Sequence, residues 1–278
     1  MLHTFIFWLQ SHRWANLLLV LLYFVFILAM HHPLVLLSIW VEHNLTIGLY
    51  NTVVATVFAT LVVGMLYVVY RQAARHTANR ATGLFYIGCT LLLLFAHSRF
   101  MFDSNIEVIH ALEFTLLAFL IFPITRRFGA AVLFTLPFML LDEWYQYILL
   151  YPDWNDYLDL NDILTDTYGC GLAMAVLMLC GVKGNQNMQP LYRRAEFIAL
   201  AALVLFTVLA TYDCIIAPYA SDVCSNTLLV INERTTAEPF WRLHPTHGNL
   251  FHVMKPAEGL IAITLLHLFY MGLDSFRK

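Results

Sequence analysis

The stretch AAVLFTLPFMLLDEWYQYILL, residues 130–150, decides the fold. A helix needs about 20 apolar residues to cross a bilayer, and this run has the length and the composition. It also carries Asp142, Glu143 and Gln146. Charge in the hydrocarbon region costs several kcal/mol per group, so a chain does not place it there without paired partners, water or a task.

Two further clusters break apolar runs on either side: His110-x-x-Glu113 and Asp162-x-x-x-Asp166. The chain around them has 278 residues, 60% hydrophobic and 12% charged, with a mean hydropathy of +0.71. Such a composition belongs to a polytopic membrane protein, not to a soluble domain. The net charge of −3 favours neither nucleic acid nor a general anionic surface as partner. The five cysteines form no CxxC spacing, which leaves zinc-ribbon and thioredoxin readings without support. The first apolar run lacks a small-residue cleavage site and meets His31-His32-Pro33, so it reads as a retained helix rather than a signal peptide.

Eight spans are expected, at about 14–30, 47–70, 81–97, 108–125, 130–150, 162–182, 195–213 and 249–273. Leu34 to Trp40 is too short to cross and is read as interfacial, with His31 and His32 marking a helix end. An even number of spans places both termini on one side. That side collects Arg13, Arg71/Arg75/Arg80, Arg126/Arg127, Lys183/Arg193/Arg194 and Arg277/Lys278, eleven of 15 basic residues, against Arg99, Arg234, Arg242 and Lys255 opposite. By the positive-inside rule the termini are cytoplasmic. Asp103, Glu107, Asp153, Asp156, Asp159, Asp213, Asp222, Glu233 and Glu238 fall in or beside outer loops.

The longest connection, from about 214 to 248, is outer, and is read as a cap over that face. Cys214 and Cys224 lie in it, either as a disulfide in an oxidising compartment or as two free thiols. Cys89, Cys170 and Cys180 read as small apolar packers. His244 and His247, in a Pro/Gly-containing loop, read as solvated. Trp144, Tyr145 and Tyr147 read as anchors near the outer headgroups.

With this orientation the clusters share one depth. His110 and Glu113 begin the fourth span from outside; Asp142, Glu143 and Gln146 sit in the outer half of the fifth; Asp162 and Asp166 open the sixth. His97 and Arg99 close the third, and Lys255 and Glu258, just after His252, open the eighth. Helical spacing puts each cluster on one face: His110/Glu113 and Glu143/Gln146 are i,i+3, and Asp159, Asp162, Asp166 and Gly169 form one stripe. Gly169 and Ala173 would let a neighbouring helix approach closely, and Asp162 could double as a cap. Residues 107–113 also echo 252–258, each with a base and an acid three apart.

The order His110/Glu113/Phe114, then Asp142/Glu143/Gln146, then Asp162-Ile-Leu-Thr-Asp-Thr-Tyr-Gly169 resembles the VanZ-like family of bacterial membrane proteins over about 81–182. The resemblance implies a central four-helix unit at 81–182 in a bacterial plasma (inner) membrane; the two spans in 1–80 and the two in 183–278 lie outside the match. Two departures from the family pattern stand out: Asp166 where Asn is usual, and the acidic run Asp153 to Asp159 where a basic residue is usual. The added negative charge points to a metal, or to a cationic or neutral ligand.

The expected fold is therefore an all-α bundle of about eight transmembrane helices with N and C termini cytoplasmic. Three chemistries remain open for the clusters. One is a helix-packing network in a non-enzymatic subunit or scaffold, although interhelical polar pairs contribute only about 0.6 kcal/mol each. Another is a divalent metal on His110, Glu113, Glu143 and Asp162, able to activate water for a membrane hydrolase. The third is metal-free acid/base or binding chemistry by His110, Glu113, Asp142, Glu143, Gln146, Asp162 and Asp166. In that case Arg99, Lys255 and Glu258 would bind an envelope lipid or lipid-linked molecule, the two bases meeting its phosphate. Membrane lipids, a lipid-linked substrate or a membrane-protein partner are the expected contacts. Glu113, Glu143 and Asp162 are the three residues expected to matter most.

Overall fold

The computed structural model describes residues 2–44, 47–73, 80–102, 107–150, 158–185, 189–232, 239–243 and 250–275. Its helices are α1 (Leu2–Ser11), α2 (Arg13–Asn44), α3 (Ile47–Ala73), α4 (Arg80–Phe100), α5 (Val108–Thr125), α6 (Phe128–Trp144), α7 (Leu160–Leu179), α8 (Ala195–Tyr212) and α9 (Pro256–Met271). Seven stretches are long and apolar enough to cross a membrane: Arg13–Val41, Gly48–Gln72, Arg80–Phe100, Val108–Thr125, Leu160–Leu179, Ala195–Tyr212 and Pro256–Ser275. The remaining expected span is helical too, but its regular part is only 17 residues. It continues as a π-helix over Tyr145–Leu150.

α7 is the axis of the bundle. It packs against α5, α4, α6 and α9, and nearly every residue in it is buried. Small residues make this possible. At Gly169 a Cβ would overlap the backbone of Ala111 in α5, and at Gly171 it would overlap the ring of Tyr270 in α9. Apolar burial drives nothing between helices in lipid, so close backbone approach and interhelical hydrogen bonds must supply the attraction. The Thr115 hydroxyl lies 2.6 Å from the Ala111 carbonyl and 2.9 Å from that of Gly169, bridging α5 and α7. Tyr270 meets the Thr90 hydroxyl of α4 at 2.8 Å.

α2 and α3 lie at the periphery with few buried residues, and α3 touches the rest only lightly. On α3, Thr52, Thr56 and Thr60 each return the hydroxyl to the carbonyl four residues back, the arrangement that a lipid-exposed face requires of a polar group. At one end of the bundle Asp274 accepts from the backbone N–H groups of Phe128 (2.7 Å) and Gly129 (3.0 Å), closing the start of α6. Arg194 donates there to the Met271 carbonyl and the Ser275 hydroxyl.

The opposite end carries the strands. β1 (Ile216–Tyr219) pairs in parallel with β2 (Leu229–Asn232), and β3 (Arg242–Leu243) pairs antiparallel with β4 (Leu250–Phe251). Leu158 N–H donates to the Ile231 carbonyl at 2.8 Å, and His252 N–H to the Phe100 carbonyl at 2.9 Å. The long loop is thus fastened to the ends of α4 and α7. Cys214 and Cys224 form a disulfide with Cα atoms 5.9 Å apart, while Cys89, Cys170 and Cys180 are free. Alkylation of the denatured, unreduced protein should therefore add three groups, and five after reduction; five without reduction would refute the pairing.

Several expectations are corrected. Residues 34–40 are not an interfacial segment and His31-His32 is not a helix end: α2 runs through Pro33 to Asn44. Proline forfeits one backbone bond, at Ala29, and transmembrane helices tolerate that loss. The last helix begins at Pro256, not at 249, because Pro256 fits the first helical position and β4 occupies the residues before it. Asp159, not Asp162, caps α7, accepting from Asn161 N–H at 2.8 Å. Tyr147 is buried rather than a headgroup anchor. The bundle is all-helical, and among the described residues four short strands lie in the connection between α8 and α9. Asp153, Asp156, His244, His247, Arg277 and Lys278 lie outside the described residues.

Candidate functional site

Three helices deliver the site at the strand-bearing end. His110 is the third residue of α5, Asp162 and Asp166 lie in the first two turns of α7, and Asp142 and Glu143 are near the end of α6. The close approach of α5 to α7 at Gly169 puts the His110 ring between the two aspartates of α7. Its Nε2 is 3.6 Å from Asp162 Oδ2, and its Nδ1 is 3.5 Å from Asp166 Oδ1 and 4.0 Å from Asp142 Oδ2. One imidazole therefore faces three carboxylates from two helices.

The switch from α to π winding shapes the third side. Residues 146 and 147 both turn inward, and the Gln146 amide donates to Asp142 Oδ2 at 3.2 Å and to Glu143 Oε1 at 3.1 Å. Insertions of π winding recur at functional sites, since they re-aim side chains at a cost in regular hydrogen bonding. His110, Asp142, Glu143, Gln146, Asp162 and Asp166 are all at least nine-tenths buried, with Asp142 and Asp166 fully so. Neither oxygen of the Asp166 carboxylate accepts a hydrogen bond, and His110 Nδ1 makes none, its contacts with Asp166 and Asp142 being ion pairs at 3.5 and 4.0 Å. Among the described residues no lysine or arginine side chain pairs with Asp142, Glu143 or Asp166.

Glu113 sits one turn along α5, half-buried, within electrostatic range of His110, Asp142 and Asp162. Its backbone carbonyl accepts from the Tyr23 hydroxyl of α2 at 3.2 Å. The same helix brings in a residue that sequence reasoning missed, His31, whose ring centroid is 5.9 Å from that of His110. The signal was available: a pair of histidines inside an apolar run, set aside because Pro33 suggested a helix end.

Three expected members are elsewhere. Arg99 is exposed and pairs with no described acidic side chain. Glu258 binds His252 Nε2 at 2.9 Å and Lys255 N–H at 3.0 Å, so it and Lys255 shape the start of α9. His252 is held further by the Phe240 carbonyl and lies flat on the Phe240 ring, centroids 3.7 Å apart. His97 is buried against Phe102 and Tyr168, apart from the cluster.

For a metal ion, His110, Asp142 and Glu143 each offer one ligand atom, all within 4.8 Å of one another. Asp142 thus joins the expected metal set, from which Glu113 is absent, while Asp162 lies on the other ring nitrogen. Comparison with known proteins found no matching family model. It found no matching curated protein and no matching solved structure either.

Proposed function

We propose that the chain is a VanZ-like integral membrane protein of a bacterial plasma membrane, with eight spans and both termini cytoplasmic. Its site binds or acts on an envelope lipid or lipid-linked molecule from the outer leaflet. The eighth span is α6 with its π-helical continuation, 23 residues in all (128–150), enough to cross. The Lys/Arg distribution supports the orientation. So does the Cys214–Cys224 pairing in the strand-bearing loop, because disulfides persist in oxidising compartments.

The observation that carries the reading is the enclosed ring of Asp142, Glu143, Asp162 and Asp166 around one histidine, with Glu113 half-buried at its edge. A buried Asp166 carboxylate that accepts no hydrogen bond, and that faces only His110 as a base among the described residues, is a poor way to hold helices together and a ready way to meet a ligand. Glu113 is the member placed to face an incoming molecule. His110, between carboxylates on both ring nitrogens, is the natural proton carrier.

A second reading, a non-enzymatic scaffold organised by the same network, draws on the close α5–α7 contact. Native mass spectrometry of the protein released from lipid separates the two. A lipid or lipid-linked mass retained by wild type and lost on Glu143→Gln supports a site; equal retention by both proteins, or none by either, favours the scaffold.

A further inference from the structure

We infer that His110, Asp142 and Glu143, with Asp166 alongside, bind a divalent first-row transition-metal ion such as Zn(II) or Mn(II). The inference deepens the proposed site and rests on its being one. The first ground is charge. Asp142, Glu143 and Asp166 are buried, and His110 is the only basic side chain paired with any of them among the described residues. With the imidazole neutral, as a ligand must be, three ionised carboxylates carry three negative charges in a buried setting, and a dication offsets two of them.

The second ground is spacing. The nitrogen–oxygen separations of 3.5 and 4.0 Å around His110 Nδ1 are long for hydrogen bonds. A metal with ligands at about 2.1 Å holds neighbouring donor atoms roughly 3.0–3.4 Å apart, so a small contraction would close the set around an ion. The third is the unsatisfied atoms. Both Asp166 oxygens, Asp142 Oδ1 and His110 Nδ1 are buried and make no hydrogen bond, although Nδ1 faces Asp166 Oδ1 at 3.5 Å. Each would gain a partner from an ion or from a water bound to it.

The donor set also selects the ion. Carboxylates suit Mg(II), Ca(II) and Mn(II), and an imidazole among them brings in Zn(II) and Fe(II), so a first-row ion fits the mixed set. Gln146 acts one step out, donating to two of the ligating carboxylates and fixing their orientation. A bound ion would also supply the positive charge for a phosphate-bearing lipid that Arg99 and Lys255, placed elsewhere, do not provide.

The test measures metal per chain by elemental analysis after chelation, reloading with Zn(II) or Mn(II) and dialysis against metal-free buffer. Wild type, His110→Gln, Asp142→Asn and the control His252→Gln are compared, with dispersity checked for each. Close to one ion per chain in wild type and control, falling about tenfold in the two site variants, is the expected result. Wild-type loading no higher than that of the site variants overturns the inference. Should the site variants not fold, the wild type decides: a thermal midpoint that stripped protein raises with Zn(II) or Mn(II), but not with Mg(II), supports it, and no rise overturns it. Lipid retention lost on Glu143→Gln without any metal would overturn the ion alone and leave the proposed function standing.

Discussion

Replacing Gly169 by valine should collapse the bundle, lowering the thermal midpoint in detergent by about 6 °C or more, if folded protein is recovered at all. The side chain would have to enter the backbone of Ala111, which cannot yield as the tip of a flexible side chain can. The damage would not stay local. Thr115 bridges Ala111 and Gly169 by hydrogen bonds, and the Cys170 thiol donates to the Phe114 carbonyl at 3.3 Å across the same seam. Forcing α5 away from α7 also draws His110 from between Asp162 and Asp166, so the site would fail with the fold. Overpacking usually costs about 1–3 kcal/mol, and backbone overlap belongs at or beyond the upper end. Gly88→Val is the matched control, since a Cβ there meets nothing within 4 Å. A Gly169→Val protein as stable as the Gly88→Val protein would contradict the packing described.

Glu143→Gln combined with Asp162→Asn should do the opposite, leaving the midpoint unchanged or raised while abolishing retention of the bound lipid or lipid-linked molecule. Both replacements keep shape and remove charge. Glu143 accepts from Gln146 through Oε1, and a glutamine oxygen can accept the same bond. What is lost is ionised carboxylate in a setting where desolvation costs several kcal/mol per ion, so neutral amides need not destabilise the bundle. A packing network built on these charges predicts a lower midpoint, because His110 would lose the Asp162 carboxylate on its Nε2 side. The sign of the stability change thus separates site from scaffold without relying on activity, and a clear fall in midpoint with retained ligand would sink the site reading.

Much of this arrangement was legible in the sequence. The spacing of Asp162, Asp166 and Gly169 put two acids and a close-packing position on one stripe, and the bundle uses all three together. His110 and Gln146 were legible for the same reason, helical periodicity. What escaped reading depends on local exceptions to that periodicity. Pro33 reads as a stop because it forfeits a hydrogen bond, yet a helix in lipid has no water to reward an earlier end, and α2 carries His31 on to His110. The π winding after Trp144 rotates Tyr147 inward, and no propensity announces it.

Arg99 and Lys255 were assigned to the site by depth alone. Arg99 is exposed, and Lys255 shapes the start of α9, where Glu258 is engaged by His252. The acidic excess of the site was legible as Asp166. That no lysine or arginine pairs with Asp142, Glu143 or Asp166 among the described residues was not.

The central claim is an outward-facing site, and the most direct measurement is the accessibility of position 113. Glu113→Cys, in a background with Cys89, Cys170 and Cys180 replaced by alanine, is treated in intact cells with a membrane-impermeant maleimide. Labelling from outside, before any permeabilisation, is the result the account predicts. Labelling that requires permeabilisation would reverse the orientation, and a thiol that stays unlabelled on both sides would contradict an open site.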